Sequence, residues 1–331
     1  MRGLNVLSLF DGVGTGFYSL EQAGFKINRY YASEIEEKAI QISRFHHPEI
    51  IQLGDIELWK EWDIDWSNID LILGASPCQG FSYSGKLLNF QDPRSALFFT
   101  FTDILNHTKK YNSNLKFLLE NVKMRKEWES VISSYLEVKP VLINSAKLSA
   151  QNRQRLYWAN WKITQPEEKN LTWQDVRENE YPEFFFTEKA LKLFPQFKIK
   201  NSSSENKAVF NFPIEKECIG AMRGRYLVNG KRWDDPEGLK GKTKQYIEFR
   251  HDGKSNALTT VQKDGIVVPF TLPNRVLVEE FFYRYKTPVE CERLQTFPDN
   301  FTKYGINNKG EVTEIPKGLA TKHWETDGQP M

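Results

Sequence analysis

A chain of 331 residues holds two or three domains, and 40% hydrophobic with 27% charged residues is the composition of a globular protein. No apolar run approaches the roughly 18 residues needed to span a bilayer, so no membrane partner is expected. Cys78, Cys218 and Cys291 form an odd, scattered set with no CxxC pair, which argues against a disulfide framework or zinc site, and no metal is expected.

MRGLNVLSLFDG turns acidic and glycine-rich too soon for a secretory leader, so a cytoplasmic location is expected. Leu4–Phe10 reads as a buried strand, followed by the loop FDGVGTG at 10–16 and a helix over Gly16–Ala23. Such a loop lets a ligand approach the backbone at a helix N-terminus. Arg29–Ala32 reads as a second strand. Glu34 at its end stands about 20 residues beyond the loop, where an acidic side chain accepts hydrogen bonds from ribose hydroxyls. The pair fits a nucleoside cofactor, a dinucleotide or S-adenosylmethionine; glycines at 12, 14 and 16 depart from GxGxxG, which weakens the dinucleotide. A helical pattern runs on through Arg44. Asp55, after a third short strand, reads as a helix cap or as a contact to an adenine amino group.

DLILG at 70–74 is the next strand and leads into SPCQGFS. Pro77 fixes the chain before Cys78, and the thiol stands at a strand's carboxyl end, where open parallel sheets bind ligands. That placement favours a nucleophile over a packed thiol. FLLENV at 117–122 repeats the pattern, and Glu120 reads either as a cap for the next helix or as a general acid facing a heterocycle. In QNRQR, 151–155, an extended chain puts Gln151, Arg153 and Arg155 on one face. Two guanidiniums there orient a carboxylate or hold a phosphate and a base oxygen. Ala159–Trp161 ends the series, and strands alternating with helices argue for a parallel sheet covered on both faces.

From Thr164 to Leu272 the chain is rich in charge, aromatics and turns, with β-like pieces YIEF and GIVVPF and a loop at 201–207. Lys216–Lys254 carries ten Lys/Arg against six Asp/Glu, a local +4; since the whole chain is +2, the remainder is −2. A solvated surface and a nucleic-acid footprint both fit that excess.

The ordered series FDGVGTG, Glu34, Gly54-Asp55, SPCQGFS, LLENV and QNRQRLYW, followed by RYKTPVECERLQTFPDNF at 284–301, resembles the C5-cytosine DNA methyltransferases of bacteria and phages. Thr15 stands where that family often has glycine. The resemblance implies an α/β fold: a doubly wound, Rossmann-like sheet of the S-adenosylmethionine-dependent methyltransferases, with a smaller, mixed target-recognition domain. It implies a catalytic and cofactor-binding domain over 1–163, target recognition over 164–272, and a return segment over 273–331 packing on the first domain. S-adenosylmethionine would be held around Phe10, Asp11, Gly12, Gly14 and Gly16, by Glu34 and Ile35, by Asp55 and Ile56, and by Pro77 and Leu97. Cys78 would attack C6 of a cytosine flipped out of duplex DNA, Glu120 would engage N3, and Arg153 and Arg155 would orient Glu120 and the base oxygen. DNA would be contacted by Gln79, Ser82, Lys86 and Gln151, and in the recognition region by Arg223, Arg225, Lys231, Arg232, Lys242 and Lys244. Cys291 would be a core thiol. The implied partners are double-stranded DNA and a cognate restriction endonuclease, and the protein is expected to be a monomer.

The family's closing Gly-Asn motif is absent from the ending KGLATKHWETDGQPM. Codons read one nucleotide back force Leu-Gly from His323-Trp324-Glu325 and permit Leu-Gly-Asn-Gly-Trp-Thr onward. The ending therefore reads as that motif out of frame; a diverged or truncated tail is the alternative. Its absence keeps open a catalytically impaired or inactive DNA-binding relative. An RNA cytosine methyltransferase would use the same catalytic set.

Overall fold

The computed structural model describes residues 2–76, 93–179, 218–225, 227–228, 231–232, 244–250, 252–258, 264–272, 275–284 and 286–315. Pro77, Cys78, Gln79, Ser82, Lys86 and Lys242 lie outside them, as does the ending 316–331. The chain divides into two compact units. Among the described residues, one comprises 2–144, 154–167 and 301–315; the other comprises 145–153 and 168–300.

The first unit contains β1 (Leu4–Leu9), α1 (Thr15–Gln22), β2 (Ile27–Ser33), α2 (Glu37–His46), β3 (Ile51–Gln52) and β4 (Leu71–Gly74). They are followed by α3 (Pro93–Tyr111), β5 (Lys116–Val122), α4 (Lys126–Leu136) and β6 (Val141–Asn144). After β7 (Gln151–Asn152), which belongs to the second unit, β8 (Gln154–Ala159) completes a seven-stranded sheet of order β3-β2-β1-β4-β5-β8-β6. Alternation along β1 covers both faces of this sheet. Leu7 and Leu9 join the cluster of Phe98, Phe101 and Ile104 from α3 and Ile132 and Leu136 from α4; Val6 joins Phe17 of α1, Tyr30 and Ala32.

The sheet is parallel from β3 through β5, as expected, and departs from that at one strand: β8 runs antiparallel to both β5 and β6. The last strand also ends at Ala159, before Trp161. β6, with only one fully apolar triplet, carries no clear strand signal in the sequence. Strand order reverses between β1 and β4, which puts the switch point, and hence the expected ligand crevice, at the carboxyl ends of these strands.

The second unit has a short α5 (Trp173–Val176), then β9 (Cys218–Arg225), the paired β10 (Leu227–Val228) and β11 (Lys231–Arg232), and β12 (Lys244–Phe249). β13 (Ser255–Asn256), β14 (Asp264–Leu272), β15 (Arg275–Arg284) and α6 (Pro288–Leu294) follow. An antiparallel sheet of order β12-β9-β14-β15 and a core of Ala150, Trp173, Val176, Ile219, Ile266 and Leu294 hold it together. β13 pairs with β7, which is why 145–153 belongs here. The segment from 273 divides at Phe301. β15 and α6 stay in the second unit, while β16 (Tyr304–Ile306) and β17 (Val312–Glu314) form a hairpin of the first, with Phe301 against Tyr18 and His46.

Candidate active site

The glycine loop is shaped by the ends of β1 and β2. Phe10 turns the chain at φ 62, and the amides of Phe10 and Asp11 donate to the Ser33 carbonyl at 2.9 and 3.2 Å. Glu34 straps the loop from the other side. Its Oε2 accepts from the Gly12 amide at 2.8 Å, and its Oε1 accepts from the amides of Ile35 at 2.8 Å and Glu36 at 2.9 Å. The three glycines serve different needs. Gly12, at φ +64, has nothing within 4 Å of where a Cβ would stand, among the described residues. Gly14 is the left-handed N-cap of α1, at φ 80. Gly16 is a packing glycine, because a Cβ there would come within 2.3 Å of the Tyr30 hydroxyl and 2.8 Å of Leu73.

That hydroxyl donates to Asp11 Oδ1 at 2.7 Å. Burial pushes the Asp11 carboxyl up to about 6, against the opposing hydrogen bonds of Ser8 and Tyr30. Asp11 thus underlies the loop, and nothing in the sequence pattern singled out Tyr30 as its partner. Of the other residues expected around the nucleoside, Ile35 is 73% exposed, whereas Ile56 is core and Leu97 packs against that core. Asp55 is a cap: Oδ1 accepts from the Glu57 amide at 2.9 Å, at the start of a 3-10 turn over Ile56–Glu61.

The approach to Cys78 is fixed as far as Ser76. Phe101 covers Gly74 so closely that a Cβ would meet its ring at 2.4 Å. Asn121, 1% exposed, donates its amide to the Ser76 carbonyl at 3.2 Å and hydroxyl at 3.1 Å, and accepts from the Val122 amide at 2.8 Å. The last described residue before Pro77 is thereby fastened beside Glu120. Glu120 itself meets Arg155, Oε1 to Nε at 2.7 Å. Register explains the pair: Val122 faces Arg155 and Glu120 faces Tyr157, so Glu120 and Arg155 are diagonal neighbours on one sheet face. Antiparallel β8 is what brings the first residues after the QNRQ turn back to the carboxyl end of β5. The cap reading of Glu120 is not what is seen.

The expectation that Gln151, Arg153 and Arg155 share a face is corrected. β7 and β8 belong to different sheets, with Arg153 between them, so strand alternation does not run through. Gln151 is also 1% exposed, packed where β7 pairs with β13, and is not available to DNA in this conformation. Cys291 is fully buried, and burial pushes its thiol up to about 12, which leaves negligible thiolate at neutral pH. Arg225 is the register partner of Lys244, Arg223 of Tyr246, Lys231 of Val228 and Arg232 of Leu227.

This sheet, with its one antiparallel strand, and a strapped glycine loop at the switch point define a Rossmann-like methyltransferase fold. The sequence model of the C-5 cytosine-specific DNA methylases matches residues 4–315, and the chain belongs to that family as a DNA methyltransferase. It is 28% identical over 320 residues to the type II methyltransferase M1.ScrFI of Lactococcus lactis subsp. cremoris, covering 89% of this chain and 70% of that one. It is 28% identical over 319 residues to M.NlaIV of Neisseria lactamica, covering 81% and 73%. It is 26% identical over 309 residues to M.NlaX of the same species, covering 89% and 86%.

Proposed function

We propose that the protein transfers a methyl group from S-adenosylmethionine to C5 of a cytosine flipped out of duplex DNA, through a covalent adduct with Cys78. The observation that carries this reading is the Glu120–Arg155 ion pair beside the Asn121 clasp on Ser76, two residues before Cys78. S-adenosylmethionine, when bound, supplies an electrophilic methyl group on a sulfonium. The open backbone at Gly12, the Glu34 strap and exposed Ile35 fit a nucleoside, with Phe10, Asp11, Gly14 and Asp55 shaping its surroundings. Gly16, Ile56 and Leu97 support that wall from within.

Cytosine C5 is a poor nucleophile, so the ring is first activated covalently. The Cys78 thiolate adds to C6, the C5–C6 double bond opens, and Glu120, held by Arg155, protonates or hydrogen-bonds N3 to accept the developing charge. C5 takes the methyl group; loss of the C5 proton and expulsion of the thiolate restore the ring. Arg153 engages the base oxygen or the adjoining phosphate. Flipping exposes the base, and Gln79, Ser82 and Lys86 contact the DNA. The region 164–272, with Arg223, Arg225, Lys231, Arg232, Lys242 and Lys244, reads duplex DNA. Because the similar proteins are named type II methyltransferases, a restriction endonuclease acting on the same site is the natural companion. The chain is taken to act as a cytoplasmic monomer.

The test is transfer of a tritiated methyl group to mixed duplex DNA and tRNA, with trapping on DNA containing 5-fluorocytosine. Cys78→Ser is expected to abolish transfer and trapping but retain duplex binding, and Glu120→Gln to abolish transfer. Labelled tRNA in place of DNA, or a trapped serine variant, would overturn the reading.

A further inference from the structure

Lys254 ends the stretch whose charge excess fits a nucleic-acid footprint, yet its ammonium is turned inward. Nζ donates to the carbonyls of Leu171 at 2.5 Å and Ala146 at 2.8 Å, with Ser149 at 3.4 Å. An ammonium offers three donors and no acceptor, so three converging carbonyls match it, and the charge strengthens each bond. Two of these carbonyls belong to the turn that leads into β7. The third precedes the capping box of α5, whose Asp175 is a second charge facing Lys254. The neighbouring backbone completes the grip: the Ser255 amide donates to the Ala150 carbonyl at 2.7 Å, and Gly253, at φ 65, accepts from the Trp173 amide at 2.6 Å. The chain is thus held from Ala146 to Asn152. Arg153 follows at once, with its carbonyl accepting from the Ser145 amide at 3.0 Å.

We propose that Lys254 is a positioning residue for methyl transfer: through three carbonyls it fixes the turn that aims Arg153 at the flipped nucleotide. The inference rests on the role given to Arg153 above. A half-buried lysine clamp of this kind acts on geometry, so its loss lowers turnover. It leaves S-adenosylmethionine binding alone, because the glycine loop is held by its own bonds to Ser33 and Glu34.

The experiment uses the full chain, tritiated methyl transfer to duplex DNA, and the variants Lys254→Ala, Lys254→Met and Arg153→Gln. Lys254→Ala is expected to lower kcat by about tenfold or more while KM for S-adenosylmethionine stays within about threefold. Propylammonium, which replaces the deleted atoms, is expected to restore part of the kcat of Lys254→Ala but not of Lys254→Met, whose side chain fills the site. Propanol is expected to restore neither. An unchanged kcat, or a loss that propylammonium leaves untouched, overturns the inference. If Arg153→Gln retains full kcat, the reading of Arg153 fails first and Lys254 has nothing to aim. If Arg153→Gln is impaired, the double variant Lys254→Ala/Arg153→Gln is expected to be no worse than the poorer single variant. Fully multiplicative losses would overturn the inference while the role of Arg153 stands.

Discussion

Gly12 and Gly16 sit four residues apart in one loop, and they fail differently when replaced. At Gly12 the space is open and the dihedral is the constraint; asparagine tolerates the left-handed region, so Gly12→Asn is expected to keep stability within about 1 kcal/mol of the parent and to act on S-adenosylmethionine affinity. At Gly16 the space is filled by the Tyr30 hydroxyl, so Gly16→Ala is expected to destabilise by about 1–3 kcal/mol. Urea denaturation of the two variants checks this, and equal stabilities would contradict it. Asp11, beneath both, gives a pH signature. Its carboxyl titrates near 3.8 unfolded and about 6 folded, so its stabilising contribution is complete below pH 4 and is lost as pH rises towards 6 and beyond. Asp11→Asn is therefore expected to gain on the parent between pH 4 and 7, by up to about 3 kcal/mol for a carboxyl raised that far. A difference between variant and parent that stays flat across that window would remove Asp11 as the titrating group.

At the scale of elements, β1, β2, β4 and β5 were legible because each is a compact apolar run bounded by turn or charge signals. The same grammar hid β6 and the direction of β8. Strand direction is set by which neighbour it pairs with, and QNRQRLYWA contains nothing local that says antiparallel. The Glu120–Arg155 pair was legible as two candidates and not as a contact, since the contact depends on that direction. Asn121, Tyr30 and Lys254 were invisible as partners for the same reason: each hydrogen-bonds across long sequence separations. The β16–β17 hairpin is another case. Phe301 stacks on the His46 ring with centroids 4.0 Å apart, its carbonyl accepts from His46 Nε2 at 2.7 Å, and Arg44 donates to Asn308 at 2.7 Å. Phe301 is 3% exposed, and Phe301→Ala is expected to cost about 3 kcal/mol or more in urea denaturation. A cost below about 1 kcal/mol would mean that the hairpin adds little to the unit it packs on.

At the scale of the molecule, the basic excess is less available than its count. Arg250 is paired with Asp252, and Lys254 is occupied by carbonyls, so 216–249 retains eight Lys/Arg and five Asp/Glu, a surplus of three. That narrows the DNA-reading surface and also the segment that can be exchanged. A swap of all of 164–272 sets a foreign β13 and a foreign residue at 254 against the native 145–153, whereas a swap of 180–249 keeps the native pair. The shorter exchange, taken from a relative, is expected to transfer the methylated sequence with activity retained. The longer one is expected to lose activity unless 145–153 travels with it. Sequencing of bisulfite-treated DNA from expressing cells reads both outcomes, and an unchanged preference in an active short chimera would rule out this region as the specificity determinant.

The first unit is closed by the stretch that begins at Phe301, although its first strand begins at Leu4. On the ribosome, at roughly 5–20 residues per second, about 15–60 s separate the emergence of these two pieces. Throughout that interval Tyr18 and His46 lack the Phe301 ring that packs on both, so the nascent chain carries an uncovered aromatic face until Phe301 emerges.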